Sequence, residues 1–153
     1  MNDIAGMGPQ VAVVGVFCNQ FGFQTNEGPE ETLKILTTVR PGNGFEPKMD
    51  LYAKVNVNGA QADPLFKWAR STIKIPQDPP GDSKGNGCDD ADLIISPRAA
   101  FDGATLAAWS PVTRTDVAWN FEKFLFNKAG GLVRRYSRYY PTEAIKADIA
   151  KLL

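Results

Sequence analysis

The sequence predicts a single α/β domain over residues 1–153, and three observations carry that prediction. Val11 to Val16 form a continuous, largely β-branched apolar run, and the chain turns polar directly after it, through Phe17-Cys18-Asn19-Gln20-Phe21-Gly22-Phe23-Gln24. Two later segments, Gly28-Pro29-Glu30-Glu31 and Asp63-Pro64, carry the signature of a helix start. A third region, 117–138, reads as two strands around a glycine-containing connection. At 153 residues and 16.7 kDa the chain is long enough to bury a core of its own.

Taken in order, residues 11–17 are the first strand, apolar throughout as expected when both faces are covered. Pro29 suits a first helical turn, and Glu30 and Glu31 face the positive end of the helix dipole. Leu33, Leu36 and Val39 recur at helical spacing until Arg40-Pro41-Gly42-Asn43-Gly44 stops the helix. Asp63-Pro64 opens a second helix in the same way, with Leu65, Phe66, Ala69 and Ile73 as its buried side. Residues 76–98 break the pattern: Pro76, Pro79, Pro80, Gly81, Gly85 and Gly87, mixed with five aspartates, predict a long irregular loop. A loop of that length points to function, mobility or an interface. Val117 to Phe126 and Leu132 to Arg138 bracket Asn127-Lys128-Ala129-Gly130-Gly131 and read as an antiparallel hairpin. Thr142 then caps a last helix with Ile145, Ile149 and Leu152 on one face.

Composition narrows the function classes. Seventeen Lys plus Arg balance seventeen Asp plus Glu, so no global field favours nucleic acid or an anionic membrane. No histidine is present, which removes His-dependent triads; with only two cysteines, no zinc site or other metal site is expected. Cys18 and Cys88 leave one bridge open but cannot form a disulfide scaffold. The Asp89-Asp90-Ala91-Asp92 cluster lacks the glycine and distal glutamate of a calcium loop and reads as solvated. No apolar run approaches the roughly 18 residues that span a bilayer. Met1 to Gln10 has neither the basic start nor the apolar stretch of a signal peptide. The compartment stays open, with the cytoplasm ahead of secretion.

The polar groups at the expected strand ends are amides and an indole: Asn19, Gln20, Gln24, Trp119 and Asn120. These are neutral hydrogen-bond donors. Aimed at one point, such donors stabilise a thiolate, a selenolate or a departing alkoxide without ionising, and they need no histidine. From composition alone the plainer reading leads, with Trp119 as a core aromatic and Gln24 as a loop amide.

Longer blocks carry a resemblance. Cys18-Asn19-Gln20-Phe21-Gly22, Arg40-Pro41-Gly42-Asn43-Gly44-Phe45-Glu46-Pro47, Val55-Asn56-Val57-Asn58-Gly59, Pro64-Leu65-Phe66 and Trp109-Ser110-Pro111-Val112 are similar to glutathione peroxidase sequence. So are Asp116-Val117-Ala118-Trp119-Asn120-Phe121-Glu122-Lys123-Phe124-Leu125 and Arg134-Arg135-Tyr136-Ser137-Arg138, and all of them occur in the family's order. The resemblance implies a thioredoxin-like fold and a peroxidase that reduces hydrogen peroxide and organic hydroperoxides in the response to oxidative stress. It implies glutathione as reducing co-substrate, with no bound cofactor. In that family a selenocysteine or cysteine attacks the hydroperoxide, and a glutamine, a tryptophan and an asparagine donate to its anionic chalcogen. Those donors map to Gln24, Trp119 and Asn120, and the anion they hold is the reactive form. Arginines that attract the anionic reductant in mammalian-type members map to Arg40 and Arg138. Tyr139 stands where those members often carry a second arginine, a departure that weakens the expected capture of glutathione.

The resemblance also implies that the nucleophile precedes Met1, since Met1-Asn2-Asp3-Ile4 is similar to the Met-Asn-Glu-Leu that follows the selenocysteine in mammalian-type members. On this reading the chain lacks the first core strand and the start of the first helix, because an in-frame UGA read as a stop moves the assigned start to the next in-frame methionine. The 153 residues alone are then inactive and prone to aggregate. An in-frame UGA within a family-like segment, found on translating the upstream genomic sequence, supports this reading, and unrelated sequence there defeats it. The segment at 76–98 matches the extended region of tetramer-forming members and implies a homotetramer. Cys18 falls where the family carries a second, inert cysteine and reads as a small buried apolar group. Cys88 stands among acids in the sequence, a setting expected to disfavour the thiolate and slow its chemistry. Two readings stand beside the peroxidase: a non-catalytic thioredoxin-like binding module, and a thiol peroxidase that uses Cys18.

Overall fold

The computed structural model describes residues 1–78 and 108–153, which divide into two compact units. The first comprises Met1–Asn19 and Phe23–Val55, the second Gln20–Gly22 and Asn56–Leu153. The expected loop at 76–98 therefore lies outside the described residues beyond Asp78, and Cys88 and the Asp89–Asp92 cluster lie outside them too.

In the first unit a short helix, α1 (Asn2–Ala5), precedes strand β1 (Val14–Val16), helix α2 (Pro29–Thr38) and strand β2 (Asp50–Tyr52). β1 and β2 pair in parallel, with Val14 opposite Asp50, Gly15 opposite Leu51 and Val16 opposite Tyr52. A Cβ at Gly15 would lie 2.8 Å from Leu51 Cδ2, so a larger residue there would displace the Leu51 side chain. The expected strand at 11–17 is thus shortened to three residues. A strand is only as long as its partner, and beyond β2 the ladder continues through single bonds, Asp50 N to Val13 O and Val55 N to Phe17 O. Both faces are not covered either: Val14 is 50% exposed. The sequence also gives no sign of β2, because three residues are too few to show a period.

α2 starts and stops where expected. Pro29 opens it after Gly28, and Gly42 N and Gly44 N close it by donating to Leu36 O and Thr37 O with both glycines in the left-handed region. Its predicted apolar stripe is not buried, however. Leu33 and Val39 are exposed while Thr32 is the buried position. Two three-residue strands offer too little sheet to cover a three-turn helix, so the stripe stays in solvent.

The second unit holds α3 (Pro64–Thr72), β3 (Lys123–Phe126), β4 (Leu132–Tyr136) and α4 (Ile145–Ala150), the last entered through a 3-10 turn at Thr142–Ala144. Asp63 caps α3 by accepting Leu65 N at 2.9 Å. Of the expected buried side of α3, Ala69 is buried, Phe66 and Ile73 are half-buried and Leu65 is exposed. Phe66 packs edge-on against Phe124, and Trp68 stacks on Phe126, which seats α3 on the hairpin. β3 and β4 are antiparallel, with Lys123 opposite Tyr136 and a bulge at Leu125/Phe126. Their connection is held by Asn127 Oδ1, which accepts Ala129 N and Gly131 N, while Gly130 takes the left-handed turn.

Two boundaries differ from expectation. Residues 117–122 are not strand, because side chains claim their backbone: Asn58 brackets Val117 on both sides, Glu122 Oε1 accepts Ala118 N, and Phe121 sits at φ 66°. Thr142 lies inside the 3-10 turn, which Pro141 precedes, and makes no side-chain cap. Ile145 and Ile149 are buried as expected, and Leu152 is half-buried.

Candidate active site

The segment bearing Trp119 and Asn120 is a loop held at three successive residues within the second unit, Asp116, Val117 and Ala118. Asp116, whose side chain is fully buried, accepts Trp109 Nε1 and Thr113 N on Oδ2, each at 2.8 Å, and Arg70 on Oδ1. Next, Asn58 Nδ2 donates to Val117 O while its Oδ1 accepts Val117 N, both at 2.9 Å. Ala118 N then donates to Glu122 Oε1 at 2.6 Å, and Glu122 Oε2 accepts Arg135 Nε at 2.7 Å. Arg135 is fully buried and spends its remaining N–H groups on the carbonyls of Ile73, Lys74, Thr115 and Asp116. Each nitrogen of the Arg135 guanidinium and each oxygen of the Glu122 carboxylate therefore has a hydrogen-bond partner, the condition under which buried charges are tolerated. Burial pushes the Glu122 carboxyl above its ordinary value, against the opposing pull of the Arg135 guanidinium, and burial also lowers Arg70.

Gln20 extends this frame. Its Oε1 accepts Val57 N and Asn58 N at 2.9 Å, and its Nε2 donates to Asn58 O at 3.1 Å. Gln20, Asn58 and Val117 thus form one buried amide chain, and Phe21, next to Gln20, packs against both Trp109 and Trp119 at centroid distances of 5.7 Å. The Phe17–Gln24 octet is consequently split in use: Gln20 and Phe21 brace the Trp119 loop, while Gln24 belongs to the first unit.

There Asn19 organises the turn before Gln24. It accepts Thr25 N and donates to Asn26, each at 2.8 Å, and Asn26 donates to Phe23 O. Gln24 itself is exposed and follows Phe23, which sits at φ 52°. Arg40 is also exposed in the first unit, at the C-terminal end of α2. In the second unit Trp119, Asn120 and Arg138 are half-buried. Of the five expected site residues, the structure brings Trp119 and Arg138 together: the Arg138 guanidinium lies over the indole at 5.7 Å and over the Tyr139 ring at 4.4 Å. Cys18 is a half-buried thiol of the first unit.

Gln24 and Asn120 each sit next to a residue in the left-handed region, Phe23 before Gln24 and Phe121 after Asn120. Bulky side chains avoid that region, at a cost of about 1–3 kcal/mol each, and such strain gathers at functional sites. Sequence reading missed the supporting residues Asn58, Asp116, Glu122, Arg70 and Arg135, because each is joined to partners far along the chain. Among the described residues no three His, Cys, Asp or Glu side chains gather as metal ligands, and no helix is long and apolar enough to cross a membrane.

The fold is α/β, and in its second unit an indole lies beneath a stacked guanidinium. The glutathione peroxidase family model matches residues 6–70. Glutathione peroxidase 1 of Macaca fuscata fuscata is 47% identical over 155 residues, covering 100% of this chain and 69% of the relative. The Mus musculus protein of the same name is 44% identical with the same coverage. A glutathione peroxidase of Molluscum contagiosum virus subtype 1 is 46% identical over 143 residues, 94% of this chain and 57% of the viral one. A solved structure described as Trgpx in apo form aligns with a TM-score of 0.43 at 20% identity, over 92% of this chain and 77% of its own. The chain belongs to the glutathione peroxidase family, a peroxidase family of oxidoreductases with a thioredoxin-like fold.

Proposed function

We propose that this chain supplies the anion-stabilising and reductant-recruiting residues of a glutathione peroxidase acting on hydrogen peroxide and organic hydroperoxides. Gln24, Trp119 and Asn120 donate to the anionic chalcogen of a nucleophile that is not among these 153 residues. Held as the anion, the chalcogen attacks the distal oxygen of ROOH, the O–O bond breaks, and the alkoxide leaves with a proton as ROH. One glutathione thiol then displaces water from the oxidised chalcogen, and a second releases glutathione disulfide and restores the anion. Arg40 and Arg138 draw the anionic reductant in by charge.

The observation that carries this reading is the Arg138 guanidinium over the Trp119 indole, which puts a cation beside a neutral donor on a loop held by buried polar bonds. Donors on a rigid frame are worth most to a developing or resident anion, since they need no reorganisation. The test is a coupled peroxide and glutathione assay on two forms, one translated from upstream of Met1 and one of 153 residues. The longer form turns over, and its Trp119→Phe variant loses about 10²-fold in kcat; the shorter form is inert. Activity in the shorter form that disappears with Cys18→Ser would replace this reading with a thiol peroxidase. A longer form that is also inert would favour a non-catalytic binding module. The whole protein assembles as a homotetramer on this reading, with support from the long segment at 76–98, and light scattering on the longer form tests it.

A further inference from the structure

Arg138 is placed by something other than its own hydrogen bonds. Its guanidinium stacks on Trp119 and Tyr139 and donates to the Tyr139 hydroxyl, yet its Nε is buried with no hydrogen-bond partner among the described residues. An orphaned buried donor is unfavourable, so the backbone turn must impose this position on the side chain. That turn, Ser137–Tyr140, is gripped from two sides. Lys123 Nζ donates to Ser137 O at 3.1 Å, Arg138 O at 3.2 Å and Tyr140 O at 2.8 Å, which uses all three ammonium donors. Asp78 accepts Ser137 N at 2.9 Å and the Ser137 hydroxyl, and that hydroxyl in turn accepts Tyr139 N at 3.1 Å.

Lys123 stands four residues after Trp119, at the start of β3, so one side chain ties the donor-bearing loop to the cation-bearing turn. Three carbonyls converging on one ammonium is more than turn closure needs: Tyr140 N already closes it on Ser137 O. Charge-assisted bonds are also the strong ones, which suits a part that must hold a strained neighbour still.

We propose that Lys123, with Asp78 opposite it, is the positioning residue that fixes the Arg138 guanidinium over Trp119 and thereby sets affinity for the anionic reductant. The link to the reductant rests on the glutathione reading above. The positioning itself does not, and the two are read separately.

The test uses the longer form, translated from upstream of Met1, with three variants: Lys123→Met, Lys123→Arg and Arg138→Ala. Two measurements are made, the NMR shifts of the Arg138 side chain under the Trp119 and Tyr139 ring currents, and the Kd for glutathione by titration calorimetry. Lys123→Met moves the Arg138 resonances toward their random-coil positions and raises Kd about fivefold to tenfold, as loss of a pre-organised charge contact does. Lys123→Arg, which can still donate to the carbonyls, keeps both close to the parent. Should Lys123→Met fail to fold, Asp78→Asn takes its place, with the same shift in the Arg138 signals expected. Unmoved Arg138 resonances in a folded variant overturn the positioning role. Moved resonances with a Kd that neither Lys123→Met nor Arg138→Ala changes leave the clamp standing and overturn glutathione capture by Arg138.

Discussion

Asn58 shows what a single amide does for this protein. It is 1% exposed, and its side chain satisfies both backbone groups of Val117 while its own backbone is satisfied by Gln20. Asn58→Ala would strand the N–H and C=O of Val117 in the interior. Each stranded group costs about 1–3 kcal/mol, so the variant is expected to lose about 2–6 kcal/mol, read as a lower urea midpoint. Gln61→Ala, at an exposed side chain of the same loop region, stays within about 0.5 kcal/mol and serves as the control. Equal loss in the two variants would refute the amide chain as the brace of the Trp119 loop. Residues of this kind were not legible in the sequence for a physical reason. Helical and strand periods report neighbours along the chain, whereas Gln20, Asn58 and Val117 meet from separate segments, and Arg135 reaches Glu122 thirteen residues away. Trp119, Asn120 and Arg138 were legible only through the longer blocks that surround them.

At the scale of elements, the signals that worked were those with local chemistry behind them. Gly28-Pro29 and Asp63-Pro64 fix helix starts through caps and a pre-set φ, and Asn127 with Gly130 fixes the hairpin turn. The signals that failed were runs of apolar residues, since β1 is three residues long and the segment before β3 is a loop. Docking of α4 onto β4 depends on a charge. Asp148 Oδ2 accepts Tyr136 Oη at 2.9 Å and pairs with Arg134 at 2.5 Å, while its Oδ1 pairs with Lys151 at 2.9 Å. The Lys151 bond first, then the Tyr136 hydroxyl and the Arg134 guanidinium, hold the Asp148 carboxyl below its ordinary value. A carboxyl with a depressed folded-state pKa stabilises the fold above its unfolded value of about 4, and that contribution is lost as pH falls through the folded value. Asp148→Asn should therefore lower Tm at pH 7, and the two Tm curves should converge at the acid end of a pH 2–7 series. A constant gap across the series would mean that packing, not charge, joins α4 to the hairpin.

For the whole molecule the decisive contrast is between the cores of its two units. Among the described residues every buried apolar side chain except that of Ile4 belongs to the second unit, where Phe21, Trp109, Tyr136 and Tyr140 supply large side chains. The first unit leaves Val14, Leu33, Val39 and Tyr52 exposed and rests on a parallel pair of three-residue strands. Two-stranded sheets are marginal in water, and among the described residues no further strand pairs with β1 or β2. An open sheet edge beside exposed apolar side chains is the arrangement that recruits other chains. The 153-residue chain is thus expected to self-associate through the first unit, giving a concentration-dependent rise in mass by light scattering. Val39→Lys with Tyr52→Lys should reduce that rise, since charge on an exposed edge or helix face opposes pairing. Hydrogen exchange separates the units independently: amides of β3 and β4 should be protected well beyond those of β1 and β2, whose local opening is less costly. A monodisperse monomer with a sharp, reversible thermal transition and equal protection in both sheets would refute this division of stability.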